Sequence, residues 1–374
     1  MKNIVIVVQN LKLGGFQRIA LDEAYDLSLK GFKVTLLLLE EIAQGATGNF
    51  FYSESDLIQK FNIQVVEATG NRKRQLIFFK SLLKTSSSEL VFISHTLRAT
   101  VLIRLACVLV AKKIKITTVI HQLPSLSDSA QRMKRFLYAR LSDNLFIFSA
   151  AALKDWNERI NSNLFLKMLY KGQNVELLRN GIFFGRINDR PKLDIKSESR
   201  ELRLIFLGRP TFWKGIGTVL ELAKTEHLLH SKVIFFLPYA DNSLFQNLPE
   251  SLTNRLEIIV GKTFRDYVPR LGDVHLYPAD YGSSNFIEAI SINCLEMAAV
   301  GVPSCVTKGG LVTWPEFLDN PIIKEIDWLR LNEAAKSILA CSQIRISELQ
   351  LQQIRDLISI KNHTNRIMEN LAIE

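Results

Sequence analysis

The chain has 374 residues, 47% of them hydrophobic and 22% charged, enough for two ordinary domains with separate cores and too apolar for a disordered or fibrous protein. Its four cysteines, Cys107, Cys294, Cys305 and Cys341, are scattered, with no C-x-x-C pair and no histidine at ligand spacing; they read as reduced core thiols, and no metal site is indicated. The net charge of +10 is uneven, with 27 Lys and Arg against 15 Asp and Glu in residues 1–190 but 20 against 22 in the remainder, so the first half is expected to meet something anionic.

The first apolar run, 4–8, is too short for a signal-peptide core, and the longest, 99–111, contains Arg104 and falls short of a membrane span. A cytoplasmic protein, soluble or peripheral, is expected. Residues 4–8 are all β-branched, as in a strand buried on both faces of a parallel sheet. A Gly14–Gly15 pair, a helix-period segment over 19–29 and a second apolar run at 34–39 complete a βαβ unit. The glycine pair suits a plain tight turn as well as a ligand loop, and it lacks the third glycine of a dinucleotide fingerprint.

Further strands are predicted at 63–66, 90–94, 116–121 and 145–149, separated by helical segments. Two of these segments, 72–84 and 132–141, are both basic and apolar, which suits a domain helix with a solvated basic face or a surface that meets anions. His121 ends one strand and His95 follows another. Such histidines are often structural, yet the carboxyl ends of parallel strands are where ligands of open α/β folds bind. Residues 182–201 are polar and aperiodic and read as a linker.

A second α/β pattern begins with a strand at 204–207. The loop leaving it holds Gly208, Arg209, Lys214 and Gly215, and a helix is predicted over 216–226. A guanidinium fork and an ammonium on one such loop suit a diphosphate. Strands follow at 233–237, 256–260 and 274–277. Glu288 and Glu296 stand eight apart, with Gly301 and Pro303 stopping the helix that holds the second and a buried strand at 304–307. Two carboxylates so spaced along a continuous helix would lie about 12 Å apart. They meet one ligand only if Glu288 sits on the loop before the helix and Glu296 in its first turns. Residues 344–369 are helical and amphipathic.

Glu288, seven residues, Glu296 and then Met297-Ala-Ala-Val-Gly-Val-Pro303 resembles the donor-binding motif of retaining glycosyltransferases with the GT-B fold, and Gly208-Arg209 with Lys214-Gly215 resembles that family's diphosphate loop. The strand and Asn180–Gly181 turn at 175–181 resemble the close of its first domain. The resemblance covers nearly the whole chain and implies an α/β protein of two Rossmann-like domains facing across a cleft. The first domain, 1–181, would bind acceptor; the second, 202–345, would bind a nucleotide-diphosphate sugar; the segment 346–374 would cross back to the first.

The resemblance also implies the site. Arg209 and Lys214 would stabilise the leaving diphosphate, with Gly14, Gly15 and Gly208 against it and no metal or other cofactor. Glu288 would touch the donor sugar, with His121 beside it. Glu296 would hold the ribose, and Ile290, Ser291 and Ile292 would lie along the donor. The family usually carries glycines just after the first glutamate, where this chain has Ala289, Ile290 and Ser291. The implied activity is sugar transfer to a lipid-linked or cell-surface glycan precursor, as in bacterial polysaccharide or lipopolysaccharide assembly, with an anionic membrane under the basic first domain. A sugar-nucleotide epimerase or a non-catalytic partner subunit on the same fold would need many of the same residues. No recognisable motif for nucleic acid is present, so none is expected as a partner.

Overall fold

The computed structural model describes residues 2–12, 14–42, 50–86, 89–121, 129–161, 167–168, 174–187, 201–239, 241–262, 264–279 and 290–371. It divides into two compact units, Met1–Phe183 with Ile360–Glu374, and Phe184–Ser284 with Ala289–Ser359. Each is an α/β layer structure around a parallel sheet, and together they make the two Rossmann-like domains of a GT-B fold.

The first sheet contains β1 (Asn3–Val8), β2 (Lys33–Leu38), β3 (Gln64–Glu67), β4 (Leu90–Ser94), β5 (Lys115–Ile120), β6 (Asn144–Ile147) and β7 (Asn174–Leu177). Their order across the sheet is 3-2-1-4-5-6-7, all parallel. Its helices are α1 (Gly15–Leu29), α2 (Phe50–Ser53), α3 (Ser55–Lys60), α4 (Arg72–Thr85), α5 (Leu97–Leu109), α6 (Ser129–Leu141) and α7 (Ala150–Asn161). Apolar β-branched runs form strands here because both faces of a parallel sheet are covered. β4 is buried at every position, and β1 and β2 at every position but the first.

The second sheet contains β8 (Arg203–Leu207), β9 (Lys232–Leu237), β10 (Leu256–Val260), β11 (Asp273–Tyr277), β12 (Ser304–Thr307) and β13 (Ile323–Ile326), in the order 10-9-8-11-12-13. With them run α8 (Ile216–Leu222), α9 (Glu250–Thr253), α10 (Ile292–Ala299), α11 (Leu331–Ser342) and α12 (Glu348–Leu357). The strand order reverses between β8 and β11, and between β1 and β4 in the first sheet. The crevice outside the carboxyl ends of two such strands is where open α/β sheets take their ligands. At the opposite end of the second sheet, Arg203 forks onto Asp273 with both bonds at 2.5 Å, a buried clamp with a structural role.

The amphipathic stretch 344–369 is two helices rather than one. After α12 the chain enters α13 (Ile360–Leu371), whose first N–H is donated to Ile182 O at 3.0 Å and not to a carbonyl of the preceding turn. α13 packs along α1 in the first unit. α1 is buried at every position from Gln17 to Leu27, acids included. The segment read as a linker starts inside the folded protein: Ile182, Phe183, Arg186 and Ile187 are buried, and 188–200 lie outside the described residues. The helix predicted to reach residue 226 ends at Leu222.

On α4 the apolar residues face inward. Phe79 and Leu83 are fully buried, and Phe78 and Leu82 rest on the same core. Arg72, Lys73 and Arg74 are exposed. The outward apolar residues of this part of the unit are Ile77 on α4 and Leu105, Val108 and Leu109 on α5. No helix among the described residues is long and apolar enough to cross a membrane.

Candidate active site

In the second unit the loop after β8 carries Gly208, Arg209 and Lys214 along the carboxyl edge of the sheet. Gly208 donates its N–H to Phe236 O at the end of β9, 3.2 Å away. Arg209 is exposed. The chain then makes a 3-10 turn, Phe212–Lys214, before α8. Gly215 closes that turn in the left-handed region, φ +78°, and a Cβ there would stand 2.3 Å from Pro278 O. Both the backbone angle and the contact demand glycine. The contact presses the β8 loop onto the residue following β11, across the switch point of the sheet.

Lys214 is held between two rings. Its Nζ lies 3.9 Å from the centroid of Trp213 and 4.9 Å from that of Tyr277, and it donates to Tyr277 Oη. Cation–π contact of this kind orients an ammonium while leaving it its charge. The start of α10 comes to the same edge. Ser291 caps the helix through Oγ, which accepts from Asn293 N–H at 3.3 Å, and Asn293 Nδ2 donates to Leu207 O at 2.8 Å. Ile290 and Ile292 are buried beside it. The first turn of α10 therefore stands at the edge where the β8 loop ends, with the N–H groups of Asn293, Cys294 and Leu295 taken up by Ser291.

Glu296 sits in the second turn of α10, 2% exposed, and accepts from Arg186 Nη1, 4% exposed. Its Oε1 makes this ion pair; Oε2 has no hydrogen-bond partner among the described residues. Arg186 had no motif to announce it, since it lies in a stretch that reads as linker. Glu288 lies outside the described residues.

In the first unit, Gly14 is the extended residue before α1, and Gly15 is its first residue. His95 directly follows β4 and His121 directly follows β5, on the same carboxyl edge as Gly14. The two histidines meet: His95 Nδ1 lies 2.8 Å from His121 Nε2, with the rings stacked at 5.1 Å. Phe16 and Phe148 pack on His121 at 5.3 and 4.5 Å. Behind them Glu23, fully buried, lies 2.9 Å from His95 Nε2 and 2.6 Å from His363 Nε2. Burial alone would raise the Glu23 carboxyl; the charges and hydrogen bonds of the two imidazoles prevail and bring it to about 2. Burial, and then the neighbouring His95, push His121 well below the usual imidazole range. Glu23 and His363 escaped the sequence reading, although three acids on one apolar helix (Asp22, Glu23, Asp26) were a signal that something covers them.

All four cysteines are buried and free; Cys305 and Cys341 approach to 3.7 Å between sulfurs without a bond. Among the described residues, no group of three or more His, Cys, Asp or Glu side chains is gathered closely enough to hold a metal ion.

No protein-family model and no curated protein matches the sequence. Solved structures do match along its whole length. Anabaena HepE in complex with UDP and glucose superposes with a TM-score of 0.68 at 13% identity, covering 99% of both chains. A glycosyltransferase from Rickettsia africae gives 0.68 at 15% identity over 98% of this chain and 97% of its own. The lipopolysaccharide outer core galactosyltransferase WaaB gives 0.59 at 9% identity, covering 99% of each. These neighbours are GT-B glycosyltransferases, and at such identities they establish the fold.

Proposed function

We propose that this protein is a glycosyltransferase that moves a sugar from a nucleotide-diphosphate donor to a glycan or lipid-linked acceptor, with retention at the anomeric carbon and without a metal or other cofactor. The observation that carries the reading is the meeting of the Arg209–Lys214 loop, Tyr277 and the capped start of α10 at the switch point of the second sheet. A cation-bearing loop at this edge suits a diphosphate, and the buried carboxylate in the second turn of α10 suits a ribose.

Cleavage of the donor leaves a nucleoside diphosphate, so the task is to stabilise negative charge growing on its bridging oxygen. Lys214, oriented by its two rings, and the exposed Arg209 supply that charge. Glu296 keeps Oε1 on Arg186 and offers Oε2 to the ribose. Glu288 and His121 contact the transferred sugar, and Gly14 and Gly15 bring α1's N–H groups to the phosphates. Attack on the face that the diphosphate leaves, with the departing phosphate taking the acceptor's proton, retains configuration. HepE has been crystallised with UDP and with UDP-glucose, which makes uridine diphosphate sugars the first donors to try.

The acceptor half of the reading rests on charge. The excess of Lys and Arg in residues 1–190, and the exposed Arg72, Lys73 and Arg74, suit the cytoplasmic face of an anionic membrane. Phe79 and Leu83 are buried in the core and Phe78 and Leu82 rest on it, so the apolar residues this reading offers to lipid are Ile77, Leu105, Val108 and Leu109. The lipopolysaccharide role of WaaB is consistent with such an acceptor.

A panel of nucleotide sugars tests the reading. A productive donor raises the melting temperature according to its affinity and concentration, and is consumed only when a lipid-linked glycan acceptor is supplied. NMR of the product then shows the donor's anomeric configuration preserved. Failure of every nucleotide sugar to bind or turn over refutes the proposal, and consumption of donor without acceptor assigns an epimerase instead.

A further inference from the structure

The second unit buries two thiols that take no part in its switch-point site. Cys305 stands inside β12 and Cys341 one residue before the end of α11, and neither is more than 1% exposed. The S–H of Cys305 is donated to the sulfur of Cys341, 3.7 Å away. A disulfide spans about 2.0 Å, so each sulfur has roughly 0.8 Å to travel, within the reach of small χ1 rotations. α11 packs on β11, β12 and β13, which keeps the two elements from drifting apart. Of the other cysteines, Cys107 belongs to the first unit and Cys294 to α10.

The surroundings favour reaction at one sulfur. The hydrogen bond from Cys305 holds the Cys341 thiol below its ordinary range; burial opposes this, and the ammonium of Lys324, which pairs with Cys305 across β12 and β13, adds to it. Burial, and then the bond to Cys341, push Cys305 up. Cys341 is therefore the sulfur that ionises first and attacks, and Cys305 the one that follows. Access comes from the helix end. The flanking Ala340 and Gln343 are exposed, and the amides of Gln343 and Ile344 reach back only three residues, to Ala340 O and Cys341 O, at 3.2 and 3.0 Å. Helix ends of this kind open without the rest of the domain.

We propose that Cys305 and Cys341 are a reversible redox site at which a peroxide closes a disulfide between β12 and α11. In the first step the Cys341 thiolate attacks one oxygen of hydrogen peroxide; the O–O bond breaks, a sulfenic acid forms, and the departing hydroxide takes a proton to become water. In the second the sulfur of Cys305, giving up its proton, attacks the sulfur of Cys341; the S–S bond forms, the S–O bond breaks and a second water leaves. Two thiols lose two electrons and the peroxide gains them. Cys305 pairs with Leu276 and Val306 with Tyr277, so the bond forms on the face of the sheet opposite to Tyr277. It closes a loop of the chain from 305 to 341 and so restricts the unfolded state of the second unit.

The test treats the full-length folded protein with millimolar hydrogen peroxide and then counts free thiols in denaturant. The count should fall from four to two, and digestion should give one cross-linked peptide pair, Cys305 to Cys341, lighter by two hydrogens. Dithiothreitol should restore all four thiols. The urea midpoint of the oxidised second unit, followed by tryptophan fluorescence, should rise by about 1–2 M, a rise that Cys305→Ala and Cys341→Ala proteins should lack. Four free thiols after treatment, a bridge that includes Cys107 or Cys294, sulfinic or sulfonic acid in place of a bridge, or cross-linking confined to urea concentrations that unfold the protein overturns the redox site. A bridge that leaves the midpoint unmoved overturns its stabilising role. None of these readouts needs a sugar donor, so the glycosyl-transfer reading stands or falls separately.

Discussion

Replacing Glu296 with alanine should damage the protein in two separable ways. Glu296 and Arg186 are 2% and 4% exposed, so water neither screens their attraction nor solvates the survivor when one is removed. Breaking such a buried pair from one side costs about 3–5 kcal/mol, a large part of the roughly 5–15 kcal/mol that stabilises a domain. Glu296→Ala and Arg186→Met should each fall in that range, measured by urea denaturation followed through tryptophan fluorescence, since Trp213, Trp314 and Trp328 all lie in the same unit. The double variant Arg186→Met/Glu296→Leu leaves no stranded charge and should stand within about 1–2 kcal/mol of the parent. Ligand binding is read from Glu296→Gln, whose amide oxygen still accepts from Arg186. Loss of one charged acceptor for the ribose should weaken nucleoside diphosphate about 10- to 100-fold by calorimetry. A Glu296→Ala protein within 1 kcal/mol of the parent, or a double variant as damaged as the two singles together, refutes the buried-pair argument. Undiminished nucleotide affinity in Glu296→Gln refutes the ribose role.

Arg209→Ala and Lys214→Ala should each lower turnover about a hundredfold or more while the protein stays folded; near-parental rates in both remove the diphosphate assignment. Gly215→Ala meets Pro278 O and an unfavourable backbone angle together and should lose at least about 2 kcal/mol by the same urea assay; an unchanged midpoint would show that the two loops do not touch. Burial holds His275 at about 3, below its ordinary 6.5, so the unfolded chain takes up the proton first. Its contribution is complete above pH 6.5 and drains away as pH falls toward 3, with a slope near 1.4 kcal/mol per pH unit; pH-dependent denaturation of a His275→Leu variant should lack that part of the slope. Arg72, Lys73 and Arg74 each add about 1 kcal/mol at an anionic leaflet, so co-sedimentation with anionic vesicles at low salt should vanish when all three become glutamate. Absence of parental binding to such vesicles ends the membrane proposal.

Most strands of both sheets were legible because buried parallel strands are written as short apolar runs, and the runs at 4–8, 90–94, 204–207 and 304–307 fall on β1, β4, β8 and β12, whereas the edge strand β13, with Lys324 and Glu325 at its centre, escaped the reading. The β8 loop was legible for a related reason: everything it needs, from Gly208 to Gly215, is local. Pairings between distant residues were not. Arg186 and Glu296 are 110 positions apart and Glu23 and His363 are 340 apart, and no periodicity links them. Glu23 looks like a solvated helix acid until α13 covers the face that would have been wet. The inward turn of Phe79 and Leu83 was latent in their spacing, since Gln75, Phe79 and Leu83 lie four apart on one stripe of α4, but spacing alone does not say which stripe is inside.

The seating of α13 on α1 bears on how the protein is born. Ile360 leaves the ribosome roughly 180 residues after Phe183, which at about 5–20 residues per second is a delay of roughly 10–35 s. Until then Glu23 and Asp26 lack His363 and Thr364, Ile182 O lacks the N–H of Ile360, and Lys115 Nζ lacks the carbonyl of Leu371. The second unit is contiguous in the chain from β8 to α12 and is complete once Leu357 has emerged, just before Ile360, so throughout its synthesis the first unit waits with two carboxylates under an open face. A chain cut between the end of α12 and residue 360 would thus display a finished second unit and an unfinished first, and that exposed flank of α1 is where a chaperone would find it.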